Sequence, residues 1–296
     1  MPPDLQLGRE RLLPNLARED TCPEWGPNRG ESLNNLRKYG KPPFKVVVIH
    51  GGPGAGGEMA PVAHELSSSW GILEPIQTAI SLEGQVEELR AVLESEGELP
   101  VTLIGYSWGA WLSFIMAAYH PSIVQKLILV GSGPYEEKYV RKLHEARLAR
   151  LDETERAEFQ SLVRALTDPT TANRDTLLAL LGALCSKTDA YEPTVDETRT
   201  SDPIGNQGDI FQSVWKEAAE LRRSGKLLEL GQRIKCPVVA IHGDYDPHPA
   251  EGVQEPLAAT LMNFRLILLK HCGHKPWIEC LARDEFFTAL REALPQ

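Results

Sequence analysis

Residues 101–119 read VTLIGYSWGAWLSFIMAAY, an apolar strand that passes through the turn GYSWG (105–109) into an apolar helix. The spacing predicts a strand over 101–106 and a helix over 108–120. Gly105 and Gly109 stand two residues either side of Ser107. In a sharp strand-to-helix turn those positions collide unless both are glycine or very small. Such a turn holds the serine in a strained backbone conformation, its hydroxyl clear of the sheet and facing the first amides of the helix. GxSxG alone is a weak pattern. The strand before it and the helix after it make Ser107 a candidate nucleophile rather than a serine in a glycine-rich turn. From Leu99 to Gln125 there is no Asp, Glu, Lys or Arg, a stretch long enough to cross a bilayer. Gly105, Ser107, Gly109 and Pro121 interrupt it, so a buried strand and helix account for it better than a membrane span.

Outward from this unit the same grammar repeats. KVVVIH (45–50) is a β-branched run stopped by Gly-Gly-Pro-Gly, and WGILEPI (70–76) and KLILVGS (126–132) are further strands. Helical spacing covers 57–69, and within 82–95 Leu82, Val86, Leu89 and Leu93 share one face. Strands that are apolar throughout, separated by single helices, imply a mostly parallel sheet covered on both faces. After Pro134 no strand pattern returns before Lys235. Helices are predicted there over 136–150, 153–166, 173–186 and 209–229, with an acidic loop across 187–208. Alternation resumes with PVVAIHG (237–243), a helix near 250–261, RLILL (265–269) and a helix near 278–293. The expected organisation is an N-terminal extension over 1–43, carrying a short helix near Leu33–Tyr39. An α/β core follows over 44–133 and 235–296, with a helical insertion over 134–234.

Composition narrows the class. Of 296 residues, 42% are hydrophobic and 24% charged, the balance of a soluble globular protein. A net charge of −10 argues against a nucleic-acid partner, which needs a basic footprint. Five cysteines are scattered without CxxC spacing, so reduced thiols in a cytoplasmic protein are expected. MPPDLQLGRERLLPNLARED (1–20) has charges where a signal peptide needs an apolar core.

Three further stretches carry chemistry. HGGPG (50–54) follows the first core strand, and the N–H groups of Gly52 and Trp108 are candidate oxyanion-hole donors. As a phosphate loop, GGPGAGG lacks the Lys-Ser/Thr pair and its proline deletes a donor. A serine is inert until a base takes its proton, and the base needs an orienting acid. Asp244 and Asp246 follow PVVAIHG, and HCGH (271–274) follows RLILLK. Both lie at strand ends, where open α/β sheets gather their ligand-binding groups.

HGGPG, GYSWG, HGDYDP (242–247) and CGHKPWIE (272–279) together resemble the α/β-hydrolase superfamily, and HGGPG in particular resembles the proline iminopeptidases. The resemblance covers about residues 45–133 and 235–293. It implies an α/β-hydrolase fold in which 134–234 is the cap domain. It also puts the nucleophile on Ser107, the acid on Asp246 and the base on His274, with no metal and no organic cofactor. The implied reaction is hydrolysis of a small-molecule ester or amide through an acyl-enzyme. Proline iminopeptidases usually carry Asp-x-Arg-Gly after the strand that follows HGGPG, where this chain has LEPIQTAISLEG (73–84). Their GGEN-like cap signature is not found either. An esterase or amidase is therefore expected ahead of an aminopeptidase. Alternatives on the same fold are a non-catalytic binding protein, which need not keep all three residues, and a lyase or haloperoxidase.

The remaining candidates have plainer readings. Asp244 competes with Asp246 as the acid but suits a turn cap. His271, Cys272 and His274 lack the distant fourth ligand of a zinc site, and Cys272 is expected to pack. His50 is expected to bond loop backbone, and His248 is a better candidate than His242 for lining a pocket. Arg141–Arg150 reads as a solvated helix and 189–202 as a solvated acidic loop. Trp215 and Trp277 read as core or cap–core packing.

Overall fold

The computed structural model describes residues 35–168, 170–194 and 207–295. Seven strands form one sheet: β1 Leu36–Tyr39, β2 Phe44–Ile49, β3 Gly71–Pro75, β4 Val101–Tyr106, β5 Val124–Val130, β6 Val238–Gly243 and β7 Phe264–Leu269. Their order is β1-β3-β2-β4-β5-β6-β7. β1 is antiparallel to β3, and every other pair is parallel.

Alternate strand residues point to opposite faces. Val47, Ile49, Leu103, Leu127 and Leu129 pack with α2 (Leu82–Glu96), α3 (Trp108–Tyr119) and α9 (Glu251–Thr260). Val46, Val48, Ile104, Ile128 and Val130 pack with α1 (Ala60–Leu66) and α10 (Arg283–Ala293). This two-sided burial is why the strands read as unbroken apolar runs. Leu82, Val86, Leu89 and Leu93 of α2 are all buried, as their spacing predicts.

β1 is a correction. The short helix expected near Leu33–Tyr39 is, over its described part, an edge strand. Arg37 and Tyr39, two residues apart, both reach the fully buried Glu74 of β3. Tyr39 Oη donates to Glu74 Oε2 at 2.6 Å, and Arg37 Nη1 lies 4.0 Å from the same oxygen. Burial pushes the Glu74 carboxyl up, and these partners offset the cost of enclosing it. A period-2 pair reaching a buried carboxylate outweighs the modest helical propensity of LRKY.

Between β5 and β6 the described elements are helical: α4 Val140–Ala149, preceded by one 3-10 turn, then α5 Glu153–Thr167, α6 Arg174–Asp189, α7 Gln207–Arg223 and α8 Lys226–Glu229. α7 ties this insertion to the sheet side. Trp215 stacks on Trp111 of α3 at 5.7 Å and 3°, and Phe211 stacks on Trp215 at 6.1 Å. The Glu217 carboxylate accepts the Leu82 N–H at 2.8 Å, serving an amide of the first turn of α2 that has no intrahelical acceptor. No helix among the described residues is long and apolar enough to cross a membrane.

Candidate active site

Ser107 joins β4 to α3 with φ 51° and ψ −112°, a conformation that costs a non-glycine residue on the order of 1–3 kcal/mol. Its N–H donates to Val130 O at 2.9 Å, and its carbonyl accepts from Ala110 N at 3.1 Å. The flanking glycines are obligatory. A Cβ on Gly105 would lie 2.2 Å from Gly109 O, and one on Gly109 would lie 2.3 Å from Ile49 O and 2.6 Å from His50 O. The second contact also sets the start of α3 against the loop that carries HGGPG. The Trp108 indole N–H donates to Gln85 Oε1 at 3.1 Å, tethering the first residue of α3 to α2.

In the HGGPG loop Gly52 has φ 104°, a left-handed conformation that favours glycine. His50 is fully buried and braces the loop, as expected. Its Nδ1–H donates to Gly51 O at 2.8 Å while Nε2 accepts from Gln77 N at 3.3 Å. Burial pushes this imidazole's pKa down. Glu58, behind Gly51, pairs with Lys275 at 2.5 Å. That pair ties the HGGPG loop to the residue after His274.

Asp246 and Asp244 divide two tasks. The Asp246 Oδ2 accepts from His274 Nδ1 at 2.8 Å. Its Oδ1 accepts from the His248 backbone at 2.9 Å and from His248 Nδ1 at 2.8 Å. His242 Nε2 lies 3.5 Å from Oδ2 and bonds His248 O at 2.7 Å. Burial alone would raise the Asp246 carboxyl, but His274, His248 and His242 around it hold it well below the usual carboxylate range. Asp244 faces away from this group. It accepts from Cys272 N at 3.3 Å and lies 3.5 Å from Lys270 Nζ, bracing the turn that leads to His274. The Cys272 side chain is buried in the apolar core.

The imidazole of His274 sits between strand ends. A Cβ on Gly131, just past β5, would lie 3.0 Å from its Nδ1. The ring of Tyr106, the residue before Ser107, has its centroid 4.9 Å away. His248 stacks on the other imidazole at 4.4 Å and 25°. The ligand atoms of Asp246, His248 and His274 lie within 4.8 Å of one another. Both Nδ1–H groups are directed at the carboxylate, which makes the trio a hydrogen-bonded cluster.

The helical insertion reaches this loop, and Arg147 and Asp189 depart from the solvated readings of their segments, while Arg141, Lys142 and residues 191–194 are exposed as expected. Asp189, at the end of α6, is buried and takes Arg147 of α4 in a two-pronged pair at 2.9 and 2.5 Å. Burial would raise its carboxyl, but Arg147 holds it low. Arg147 therefore faces inward, and Arg150 lies 3.7 Å over the Tyr245 ring. The Asp189 carbonyl accepts the His274 N–H at 2.7 Å. The fully buried Glu279 accepts from Gly273 N, Tyr191 N and Glu192 N at 2.9, 2.9 and 2.8 Å. Residues 189–194 are thus docked on the histidine loop by backbone bonds. Asp196, Glu197 and Asp202 lie outside the described residues.

Sequence reasoning missed the depth of His248, Arg147, Asp189 and Glu279. A signal existed for Arg147, four residues after the buried Leu143 and so on the same helix face. Trp277 packs on Tyr106 at 4.7 Å, as its core reading requires.

With an elbow serine, a carboxylate–imidazole pair and a doubly wound sheet in place, the class is defined: the chain belongs to the α/β-hydrolase fold family, which matches residues 74–279, and it is a hydrolase. It is similar to the proline iminopeptidase of Lactobacillus helveticus, 24% identical over 281 residues, 86% of this chain and 90% of that protein. It is also similar to the pimeloyl-[acyl-carrier protein] methyl ester esterase of Chromobacterium violaceum, 26% identical over 271 residues, 84% of this chain and 93% of that one. The crystal structure of VinJ superimposes with a TM-score of 0.62 at 17% identity, covering 88% of this chain and 95% of that one.

Proposed function

We propose that Ser107 is the nucleophile, His274 its general base and Asp246 the acid that orients the base, in a hydrolase of small-molecule esters. The supporting observation is the 2.8 Å bond from His274 Nδ1 to Asp246 Oδ2 beside an elbow serine at φ 51°. That bond fixes the tautomer with Nε2 free to accept the Ser107 proton. The Ser107 oxygen adds to the carbonyl carbon, and the N–H groups of Gly52 and Trp108 stabilise the oxyanion. His274 returns the proton to the leaving alcohol, and water then cleaves the acyl-serine with the same base. Residues 134–234 act as the cap that shapes the acyl site. Four unpaired thiols among the described residues support a reducing, cytoplasmic setting.

The similarity to a proline iminopeptidase favours a second reading, release of N-terminal proline. It needs a free carboxylate for the substrate ammonium. Asp189 is already bound to Arg147, which leaves the exposed Glu192 as the described carboxylate of this segment that an aminopeptidase could use. The test is labelling with a fluorophosphonate probe, alongside turnover of p-nitrophenyl esters and prolyl-p-nitroanilide. Ser107→Ala is expected to abolish labelling and cut turnover by about 10⁴–10⁶-fold. Retention of more than a tenth of the activity overturns the assignment. Prolyl-p-nitroanilide turnover exceeding that of the esters overturns the substrate class.

A further inference from the structure

Asp246 accepts hydrogen bonds from two imidazoles, and only one of them is needed to activate a serine. We infer that His248 is a positioning residue: its Nδ1–H pins Oδ1 of Asp246, so that Oδ2 alone faces His274 and the acid limb of the reaction is set at lower pH. The inference rests on the triad reading above.

The geometry is specific. A carboxylate free to rotate would present either oxygen to His274. Here Oδ1 takes two bonds from one residue, the His248 backbone N–H and ring Nδ1–H, at 2.9 and 2.8 Å. The His248 carbonyl is held in turn by His242 Nε2 at 2.7 Å, so the donor is itself fixed. A donor on Oδ1 draws off part of the charge that Oδ2 offers to an imidazolium at His274. Without that donor, the carboxylate would hold an imidazolium more tightly.

His248 does not compete for the proton. Burial, with the charges of His274 and Arg147 nearby, pushes its pKa down to about 4 even beside Asp246. That neutrality is required, because a second cation in a ring stacked at 4.4 Å would oppose the imidazolium at His274. The groups facing the pair from every side are His242 of β6, Tyr106 of β4, Asp189 of α6 and Arg147 of α4. The last two form one closed ion pair.

Two substitutions separate a hydrogen-bond role from a packing role. The Asn amide nitrogen overlies the Nδ1 position of histidine, so His248→Asn keeps the donor, whereas His248→Leu keeps bulk without it. The measurement is the second-order rate of fluorophosphonate labelling from pH 4.5 to 8. Expected is an acid limb moved to higher pH in His248→Leu by half a unit or more, about threefold slower labelling on the limb. His248→Asn should follow the unsubstituted enzyme. An unmoved limb in His248→Leu, or the same shift in both variants, overturns the inference and leaves the triad standing. Failure of the unsubstituted protein to label, or labelling of Ser107→Ala, overturns the triad itself. Should His248→Leu not fold, ¹⁵N spectra of the imidazoles in the unsubstituted protein decide. His248 is expected to be Nδ1-protonated and neutral down to pH 5, and an Nε2–H tautomer or a cation at that pH overturns the role.

Discussion

Ser107, Asp246 and His274 were legible because each obeys a positional rule that a local stretch can display: small residues flanking an elbow, an acid after one strand end, a histidine after the next. Asp244 and Asp246 share the first of those strand ends, and only contacts separate them. Asp246 meets three imidazoles, while Asp244 braces the turn before Cys272. Asp246→Asn is accordingly expected to lower kcat by about 10³–10⁴-fold through loss of the imidazole tautomer. Asp244→Asn should cost less than tenfold, and steady-state kinetics on one ester would show a reversed ranking. Gly109→Ala tests the elbow itself. Its Cβ would meet backbone oxygens at 2.3 and 2.6 Å, which cannot swing aside. Expected is a loss of several kcal/mol of stability or no soluble protein, read by denaturant unfolding. The bond from the His248 backbone N–H to Asp246 follows the Asx-turn rule for an Asp two residues earlier, but no rule of spacing says that the His248 ring will turn back to the same carboxylate.

At the scale of elements, the sheet and its helices were readable wherever a run is apolar on one period. The exceptions were decided by distant partners. β1 is too short and too charged to announce itself, and its identity depends on Glu74 of another strand. Residues 189–194 look like an acidic loop because nothing local reports that Glu279 waits to accept two of their amides. Arg147 and Asp189 read as solvated for the same reason, each being a charge whose burial depends on the other. Glu279→Gln probes this junction. A carboxylate accepts all three amides, whereas the carboxamide turns an N–H donor against at least one of them. The expected cost is about 1–3 kcal/mol, visible as a lower thermal midpoint, with a fall in kcat because Gly273 precedes His274. Unchanged stability would mean that the segment holds without it.

For the whole molecule, the imidazoles with lowered pKa values set a direction of pH response. Burial pushes down the pKa values of His50, His120, His144 and His248, the last to about 4. The unfolded chain binds those protons near the ordinary histidine value, so between about pH 6.5 and 4 it holds more protons than the folded one. Stability therefore falls as the pH drops through that window, His248 alone contributing roughly 3 kcal/mol. Asp246, held low, adds its own loss below about pH 4. Glu74, pushed up, works in the opposite sense but is one group against four. Thermal midpoints measured from pH 7 to 4 should decline, and a flat series would show that these histidines are not neutral in the folded protein. The 2.7 Å bond from the His274 amide to the Asp189 carbonyl has a different kind of consequence, for ancestry and recombination. Grafting another helical insertion between β5 and β6 would replace the acceptor that holds the His274 amide. On the proposed reading, a chimera that exchanges residues 134–234 together with 271–280 keeps this bond between matched partners, whereas one that exchanges 134–234 alone must rebuild it.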